Sequence, residues 1–460
     1  MRDSRHHRRR AVGIRDTAAD APLTAPPEKT MRPDHSAAVD AASAAAVSTS
    51  ARAWLSVLTV AISAFAFVTT EFLPVGVLPR VAADFGVTAG AAGLMVTIPG
   101  IVALFAAPGI VLAAGRLNRR RVVLLLTACL LASNVIAALA PDLPTMLIGR
   151  ALLGAALGGF WTLAIAAASR LVQPADVPKA MATILGGVTC ATVIGVPIGT
   201  YIAGIASWRA AFASTAVLVG IALAAQFRLV PSLPSHTAMR GQDLVGPLRE
   251  RQVRLVLLVA GLLFGAHFCA YTYIAPFVVA HTNFTMSSVT WLLLGFGIVG
   301  FLSNLAFSKA VERDVTRSIV VAAVMLLAAQ AALPVVAPVK AGVAAVLMLW
   351  GIAFGGIPLC CSVWMQRTTP DNAEAGSALF VCVLQLAIAI GSSVGGFVVD
   401  HVGSADVFGV GAVLALVTLL MFELKKPGTA RTMPLRGGND VHARERPTAM
   451  APRVPAGENE

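Results

Sequence analysis

A carboxylate stands inside an apolar stretch that is long enough to cross a membrane. The stretch runs from Trp54 to Pro79, and Glu71 lies in its second half. An ionisable group at that depth is costly unless it faces the interior of a helix bundle or a water-filled cavity. Burial disfavours the charged form of a carboxyl group and a nearby cation favours it, so Glu71 is a candidate for binding and releasing a proton. The alternative is a carboxylate held permanently by a helix or by Arg150.

Arg150 is a second embedded charge, in the fourth apolar stretch, shortly after a short loop at Pro141–Pro144. An arginine near a membrane surface can extend its side chain to the interface, which would make its role structural. An internal arginine would instead act together with the embedded carboxylate. The position in the stretch leaves both interpretations open. Gly154 and Gly158 follow at a spacing that allows another helix to approach closely.

The seventh apolar stretch carries His267 and an aromatic face. Because a histidine side chain titrates near neutrality, His267 is a second candidate for proton coupling. A single histidine on an apolar helix is, however, more often a hydrogen-bonded core residue. Phe264, Phe268 and Tyr271 lie at i, i+4 and i+7, so they share one face of this helix.

Aromatic rings and an amide on several helices suggest a substrate pocket near the middle of the membrane. Ring faces suit stacking on a purine, and an amide supplies directional hydrogen bonds to a base or ribose. The same rings also serve packing alone in many membrane helices. The candidate substrate-binding residues are Trp161, Thr162, Phe264, Phe268, Tyr271 and Gln385.

The composition requires a bilayer around these groups. Of the 460 residues 57% are hydrophobic and only 13% are charged, which predicts a polytopic all-α membrane protein rather than a soluble one. Successive apolar stretches of spanning length predict twelve transmembrane helices. They lie near residues 54–78, 89–114, 121–140, 145–170, 178–206, 209–230, 254–280, 286–309, 317–338, 341–364, 373–399 and 404–424.

Positive charges are unevenly distributed between the loops. They concentrate in the tails and in loops that follow even-numbered helices, such as residues 115–121, whereas the opposite loops contain only Arg80, Arg209 and Lys340. The positive-inside rule therefore places both termini in the cytoplasm. The net charge of +12 follows from this topology, and we expect a lipid bilayer but no nucleic acid as partner.

Several activities are not expected. The six cysteines lie in apolar stretches and are predicted to be core residues, not a disulfide framework or a metal site. The sequence contains neither a G-x-x-x-x-G-K-[ST] phosphate loop nor an H-E-x-x-H motif. We therefore expect neither a primary pump nor a membrane enzyme, and no cofactor. The embedded Glu71 favours a proton gradient as the energy source.

Internal repetition predicts two six-helix bundles. The segment Gly195-Val-Pro197-Ile-Gly199 has a glycine-rich counterpart at Gly391–Gly396, an offset of roughly two hundred residues that matches the step from the first helix to the seventh. Pro197 is expected to bend its helix. The predicted segments are a disordered cytoplasmic tail (1–53, in which Met31 is an alternative start), an N-terminal bundle (54–230), a cytoplasmic linker (231–253), a C-terminal bundle (254–424) and a second disordered cytoplasmic tail (425–460).

These motifs resemble those of the major facilitator superfamily. The loop Gly115–Arg121 is similar to the family pattern G-x-L-A-D-R-x-G-R-R, although Gly115 and Asn118 depart from it. The spacing of Arg150 and Gly154 resembles the family's fourth-helix motif and implies an internal, functional arginine. The segment 195–199 resembles the fifth-helix motif of antiporters. The resemblance implies gating or structural roles for Gly115, Arg116, Arg119, Arg120, Gly195, Pro197 and Gly199.

The likeness extends over about residues 54–424 and is closest to bacterial drug:proton antiporter-type exporters, especially purine ribonucleoside efflux transporters. It rests on Glu71–Val75, Gly158–Trp161, Trp208-Arg209, Tyr273–Pro276 and Ala375–Leu386. It implies a monomeric, proton-coupled exporter of small molecules, most of all purine ribonucleosides, that works by alternating access in the bacterial inner membrane. Multidrug or arabinose-like sugar efflux is the alternative, and a non-transporting membrane sensor is a more remote one.

Overall fold

Twelve helices that are long and apolar enough to cross a membrane make up the computed structural model, which describes residues 49–114, 118–232, 246–282 and 284–424. The prediction of an all-α protein with twelve transmembrane helices is confirmed. The helices are α1 (Ala51–Phe85), α2 (Ala89–Ala114), α3 (Arg119–Leu139), α4 (Leu143–Leu171), α5 (Val177–Cys190, a π-helical turn Ala191–Gly195, and Val196–Ile205), α6 (Trp208–Leu229), α7 (Arg251–Tyr271 and Ile274–His281), α8 (Met286–Arg313), α9 (Val315–Val336), α10 (Lys340–Thr368), α11 (Ala373–His401) and α12 (Asp406–Leu424). Short 3-10 helices lie at Pro174–Asp176, Gly246–Arg249 and Pro370–Asn372.

Local capping determines where several helices begin and end. The side chain of Ser50 accepts a hydrogen bond from the backbone N–H of Ala53, so α1 begins at Ala51, slightly before the predicted boundary. Gly86 ends the same helix in the left-handed conformation, with φ of 65°. Asp142 caps α4 in the way that Ser50 caps α1. The tails at 1–48 and 425–460 and residues 233–245 of the linker lie outside the described part of the chain.

Glycines at nearly matching positions pack the helices of the two halves in the same way. In the first six helices, a Cβ at Gly154 or Gly158 of α4 would overlap the backbone of α2. In the last six, a Cβ at Gly351 or Gly355 of α10 would overlap the backbone of α8. Such close approach is what small residues permit between membrane helices. The predicted six-helix repeat is therefore visible in the packing.

A second glycine pair in each half holds the helix that carries the candidate proton site. Gly195 and Gly199 of α5 face α1, where an added Cβ would overlap side chains of that helix. Gly391 and Gly395 of α11 face the backbone of α7 in the same manner. The π-helical turn Ala191–Gly195 lies just before Pro197, which has no N–H to continue a regular helix.

The contacts between the halves have a preferred end. We call the end of the bundle that carries the C-terminus of α1 the outer end, following the predicted orientation. There the Asp400 carboxylate of α11 accepts hydrogen bonds from the Thr88 hydroxyl (2.7 Å) and the Gly90 backbone N–H (2.8 Å), so it caps α2 across the two halves. Deeper in the same interface, the hydroxyls of Thr97 and Ser392 lie 2.9 Å apart. Among the described residues, hydrogen bonds and ring stacking between the halves lie at the level of Glu71 or farther out.

Candidate functional site

Glu71 is buried between the two halves. Its side chain is only 5% exposed, and the Gln385 amide Nε2 of α11 donates a hydrogen bond to its Oε1 over 3.2 Å. Gln385 is itself 5% exposed. The carboxylate belongs to the N-terminal half and its amide partner to the C-terminal half, so any relative movement of the halves changes the surroundings of Glu71.

Arg150 lies entirely inside the protein, with no exposed surface. Its guanidinium donates to three backbone carbonyls: Nη1 to Thr70 (2.6 Å), Nη2 to Glu71 (2.9 Å) and Nε to Met95 (2.6 Å). The side chain therefore does not extend to the membrane surface. It connects α4 to α1 and α2 at the level of the buried carboxylate.

Two prolines explain why those carbonyls need a donor. In an α-helix the carbonyl of residue i accepts from the N–H of residue i+4, and proline has no N–H. Pro74 therefore leaves the Thr70 carbonyl without its helical partner, and Pro99 does the same to the Met95 carbonyl. Arg150 supplies both missing donors, and its charge strengthens the bonds. Arg150 thus stabilises two proline-containing helices at the level of Glu71.

The arginine and the carboxylate do not form a direct ion pair. Within the described residues, the ion pairs are those of Lys179 with Asp176 and of Arg209 with Asp84. The guanidinium of Arg150 is used on backbone oxygens, which leaves the Glu71 carboxylate to its contact with Gln385. The arrangement contrasts with a carboxylate that is permanently paired.

A small polar network supports the same part of α1. The Asn134 amide of α3 donates to the Thr70 hydroxyl (3.0 Å) and to the Leu130 carbonyl (2.9 Å). Asn134 and Thr70 are both fully buried. Since buried polar groups are stable only when they are hydrogen-bonded, this network fixes the rotation of α1 next to Glu71.

The aromatic face of α7 meets the N-terminal half through one ring. Phe268 stacks on Phe72 of α1, with centroids 5.4 Å apart and planes 18° apart. Phe268 also packs against Phe264 (6.2 Å) and Tyr271 (6.3 Å) of its own helix. The three predicted residues of the α7 face are thus brought together, and Phe72 is added to them.

His267 lies in an aromatic cage in the C-terminal half. It is 1% exposed, and the Trp350 indole Nε1 donates to its Nδ1 over 3.1 Å. Its ring stacks on Phe354 (3.4 Å) and on Tyr271 (4.7 Å). An Nδ1 that accepts a hydrogen bond belongs to the neutral ring with its proton on Nε2. This geometry favours the hydrogen-bonded core histidine over the proton carrier.

The remaining candidate residues are spread over other parts of the fold. Trp161 packs edge-on against Phe160 (6.0 Å), within the core of the N-terminal half and apart from the α7 rings. Arg119 begins α3, and Arg120 ties that helix to the end of α6 by donating to the Phe227 carbonyl (2.6 Å). Gly115, Arg116 and the side chain of Thr162 lie outside the described part of the structure.

Sequence reasoning missed several residues of this site. Phe72 is not among the candidate binding residues, although its position next to an embedded carboxylate is a usable signal. Pro74 and Pro99 were recognisable as sources of unpaired carbonyls, but only the fold shows which side chain reaches them. Asp400 gave no signal, because a cap supplied by a distant helix leaves no local pattern.

Comparison with known proteins agrees with this architecture. The chain matches the Major Facilitator Superfamily over residues 60–392 and again over residues 256–452. Among solved structures, it is similar to the nucleoside transporter NupG (D323A mutant), with a TM-score of 0.65 at 14% identity over 81% of this chain and 100% of that one. It is also similar to the partially occluded, inward-open xylose transporter XylE from E. coli, with a TM-score of 0.63 at 15% identity over 82% and 98% of the two chains.

Curated relatives are closer in sequence. The purine ribonucleoside efflux pump NepI of Salmonella paratyphi C is 33% identical over 372 residues, which cover 81% of this chain and 94% of the relative. The transcription regulatory protein OpdE of Pseudomonas aeruginosa is 36% identical over 382 residues, or 81% and 95% of the two chains. The expectation that the protein is not an enzyme agrees with these findings. With its twelve spanning helices, its six-helix repeat and these matches, the chain belongs to the Major Facilitator Superfamily and is a multi-pass membrane transporter.

Proposed function

We propose that the protein exports purine ribonucleosides in exchange for protons, by alternating access. One observation carries the coupling: the buried Glu71 carboxylate of one half is hydrogen-bonded by Gln385 of the other half. The choice of substrate is supported by the similarity to purine ribonucleoside efflux pumps over nearly their whole length.

The coupling follows from the surroundings of Glu71. Exclusion from water favours the neutral form of a carboxyl group, whereas a donated hydrogen bond or a nearby cation favours the ionised form. Gln385 donates from the opposite half, and Arg150 holds the backbone of the carboxylate from its own half. Movement of the halves removes the first contact and keeps the second. The proton affinity of Glu71 therefore changes between conformations, which is what exchange with a substrate requires.

The conformation supports alternating access. Hydrogen bonds between α2 and α11 close the outer end, through Thr88 and Gly90 to Asp400 and through Thr97 to Ser392. Glycines between α2 and α11 let the two helices approach closely. The helices can therefore separate without the rearrangement of large interlocking side chains. An outward-facing state requires these bonds to break while each six-helix half keeps its own packing.

Nucleosides suit the groups near the middle of the bundle. Phe72 and Phe268 offer ring faces, and Gln385 offers an amide at the same depth. An exporter of lipophilic cations would use several embedded acids as counter-charges, but Glu71 is the buried carboxylate among the described residues. An arabinose-like sugar needs many polar side chains, which these helices largely lack. We further propose that the protein acts as a monomer in the bacterial inner membrane with both termini in the cytoplasm.

A second candidate function is a membrane sensor without transport. It is favoured by one finding, the 36% identity with a relative whose name is that of a transcription regulatory protein. A sensor of this kind would keep the substrate site and the movement of the halves. It would lack the net flux of substrate against its gradient.

Transport in proteoliposomes tests both functions. Purified protein should drive uptake of labelled inosine into vesicles when a proton gradient of the proper direction is imposed, and an uncoupler should abolish the accumulation. Unlabelled inosine and guanosine should compete with the label, whereas arabinose and chloramphenicol should not. Flux that ignores the gradient contradicts proton coupling. Binding of inosine without any flux supports the sensor, and competition by arabinose or chloramphenicol alone contradicts the nucleoside assignment.

A further inference from the structure

Phe72 and Phe268 form a ring contact that joins the two halves of the transporter. Their centroids are 5.4 Å apart and their planes are nearly parallel. Phe268 is almost fully buried, whereas Phe72 is partly buried. Phe72 directly follows Glu71 in α1, so the ring contact lies at the level of the buried carboxylate, on another part of the helix surface.

The two rings are held very differently. Phe268 is supported by Phe264, by the edge of His267 (4.7 Å) and by Phe354 (5.9 Å), all of which belong to the C-terminal half. Phe72 belongs to α1 of the N-terminal half. Movement of one half relative to the other therefore changes the distance between the rings without disturbing the cage behind Phe268.

The distance between the two rings can be compared with the space that a stacked base needs. A flat ring in contact with another lies about 3.5 Å away, so a base between two rings needs about 7 Å between their planes. The two centroids are only 5.4 Å apart, which is too close to hold a base between the rings. At this distance each ring covers part of the other. The pair thus keeps two apolar faces covered in the absence of substrate, at the depth where Gln385 offers an amide.

We infer that Phe72 and Phe268 form a base-stacking subsite, in which a purine inserts between the two rings and so bridges the halves of the protein. This inference rests on the proposed nucleoside function and names the part of the substrate that the site selects. The ring of the base provides the stacking, and the Gln385 amide, which bonds to the residue next to Phe72 in the chain, is the candidate partner of its polar edge or the ribose. Selection then depends on a flat aromatic group, which a sugar alone does not have.

Binding to purified full-length protein tests the subsite, with inosine as the probe and ribose as the probe without a base. Phe72→Leu and Phe268→Leu keep apolar bulk and remove the ring face. Each should raise the inosine Kd by about tenfold, because the base loses the aromatic face on which it stacks. Phe72→Tyr keeps the ring and should bind as the wild type does. Phe277→Leu is the matched control, because Phe277 is a buried ring of α7 that packs edge-on against Phe408 within its own half.

A second measurement does not depend on the stability of the leucine variants. In Phe72→Trp, inosine should quench the fluorescence of the added indole, whereas ribose should not. In Phe277→Trp, neither inosine nor ribose should quench the added indole. Inosine binding that is unchanged in both leucine variants, or equal quenching at the two tryptophan positions, would overturn the subsite while leaving nucleoside transport in place. Wild-type protein that binds neither inosine nor guanosine would overturn the proposed function and the subsite together.

Discussion

The two halves of this transporter hold the same framework around opposite kinds of polar centre. Glu71 in α1 and His267 in α7 are separated by the same number of positions as Phe72 and Phe268, which follow them, and as Asn134 and Gln330 on the neighbouring helices. Asn134 bonds to α1 through Thr70, and Gln330 bonds to α7 through the Ala266 carbonyl (2.9 Å). The scaffold has been kept in both copies while the central residue differs.

The difference lies in how each centre is bound. Glu71 touches the other half through Gln385, whereas His267 accepts a hydrogen bond from Trp350 of its own half. The surroundings of Glu71 therefore depend on the position of the halves, and those of His267 do not. The contacts of Glu71 suit the proposed proton site, whereas those of His267 are typical of a rigid aromatic core.

The same comparison explains why an arginine is needed in the N-terminal half. At the position that corresponds to Pro74 of α1, α7 has Ala270, which retains its N–H. The carbonyl one turn earlier in α7 therefore keeps a helical partner and does not need a guanidinium. In the C-terminal half Trp350 reaches the central residue from α10 in place of an arginine. The arginine thus accompanies the prolines that leave carbonyls unpaired, rather than the embedded charge alone.

The largest expected effect separates Glu71 from His267. Glu71→Gln keeps the size and the contact with Gln385 but cannot exchange a proton, so all of the proton-driven accumulation of substrate should be lost while exchange down a gradient persists. His267→Asn keeps an acceptor near Nδ1 for Trp350 and should retain more than half of that accumulation. Uphill transport in proteoliposomes measures both. Full accumulation in Glu71→Gln together with its loss in His267→Asn would move the coupling site to the C-terminal half.

An intermediate effect on stability tests the link between Arg150 and the prolines. Arg150→Lys cannot serve three carbonyls, and a buried polar group left unpaired costs about 1–3 kcal/mol, so the thermal midpoint in detergent should fall by several degrees. Trp350→Phe loses one hydrogen bond and should cost about 1 kcal/mol.

A double variant isolates the cause of that loss. Pro74→Ala restores an N–H that can bond to the Thr70 carbonyl, so Arg150→Lys should cost less in this background than in the wild type. Equal cost in both backgrounds would show that Arg150 acts through something other than the orphaned carbonyl. The free energy of unfolding is measured by intrinsic fluorescence for the wild type, the two single variants and the double variant. The difference between the two costs of Arg150→Lys is the coupling energy.

A structural feature can be predicted from the sequence when local composition determines it, and not when the packing of distant helices does. The number and class of helices could be predicted, because a bilayer demands apolar stretches of fixed length with satisfied backbones. Glu71 and Arg150 could be recognised, since a charge in such a stretch must be internal. Both are local consequences of composition.

The partners of those residues could not be predicted in the same way. The cage of His267 comes largely from α10, and Trp161 packs against the core of the N-terminal half rather than beside the α7 rings. Neither rotation nor helix pairing is visible in an apolar stretch that is hydrophobic on most of its sides. Gln385 could be recognised as an amide in an apolar stretch, but its bond to Glu71 is a result of the fold.

The smallest expected effect concerns the two amides that the repeat places alike. Asn134 uses both ends of its amide, because it donates to Thr70 and Leu130 and its Oδ1 accepts from the Thr70 hydroxyl (3.3 Å). Gln330 donates to the Ala266 carbonyl, but its buried Oε1 has no hydrogen-bond partner among the described residues.

Leucine at each position removes the amide and keeps a similar volume. Asn134→Leu loses satisfied hydrogen bonds and strands the Thr70 hydroxyl, so it should lower the free energy of unfolding by about 1–2 kcal/mol. Gln330→Leu removes an oxygen that is already unsatisfied, and its effect should stay within about 0.5 kcal/mol of zero, because exchanging a half-satisfied buried polar group for an apolar one is nearly neutral. Denaturant or thermal unfolding in one detergent compares the two. If Gln330→Leu proves as costly as Asn134→Leu, the Gln330 oxygen has a partner in the membrane-embedded protein, and the C-terminal half is then as fully bonded around its central residue as the N-terminal half is around Glu71.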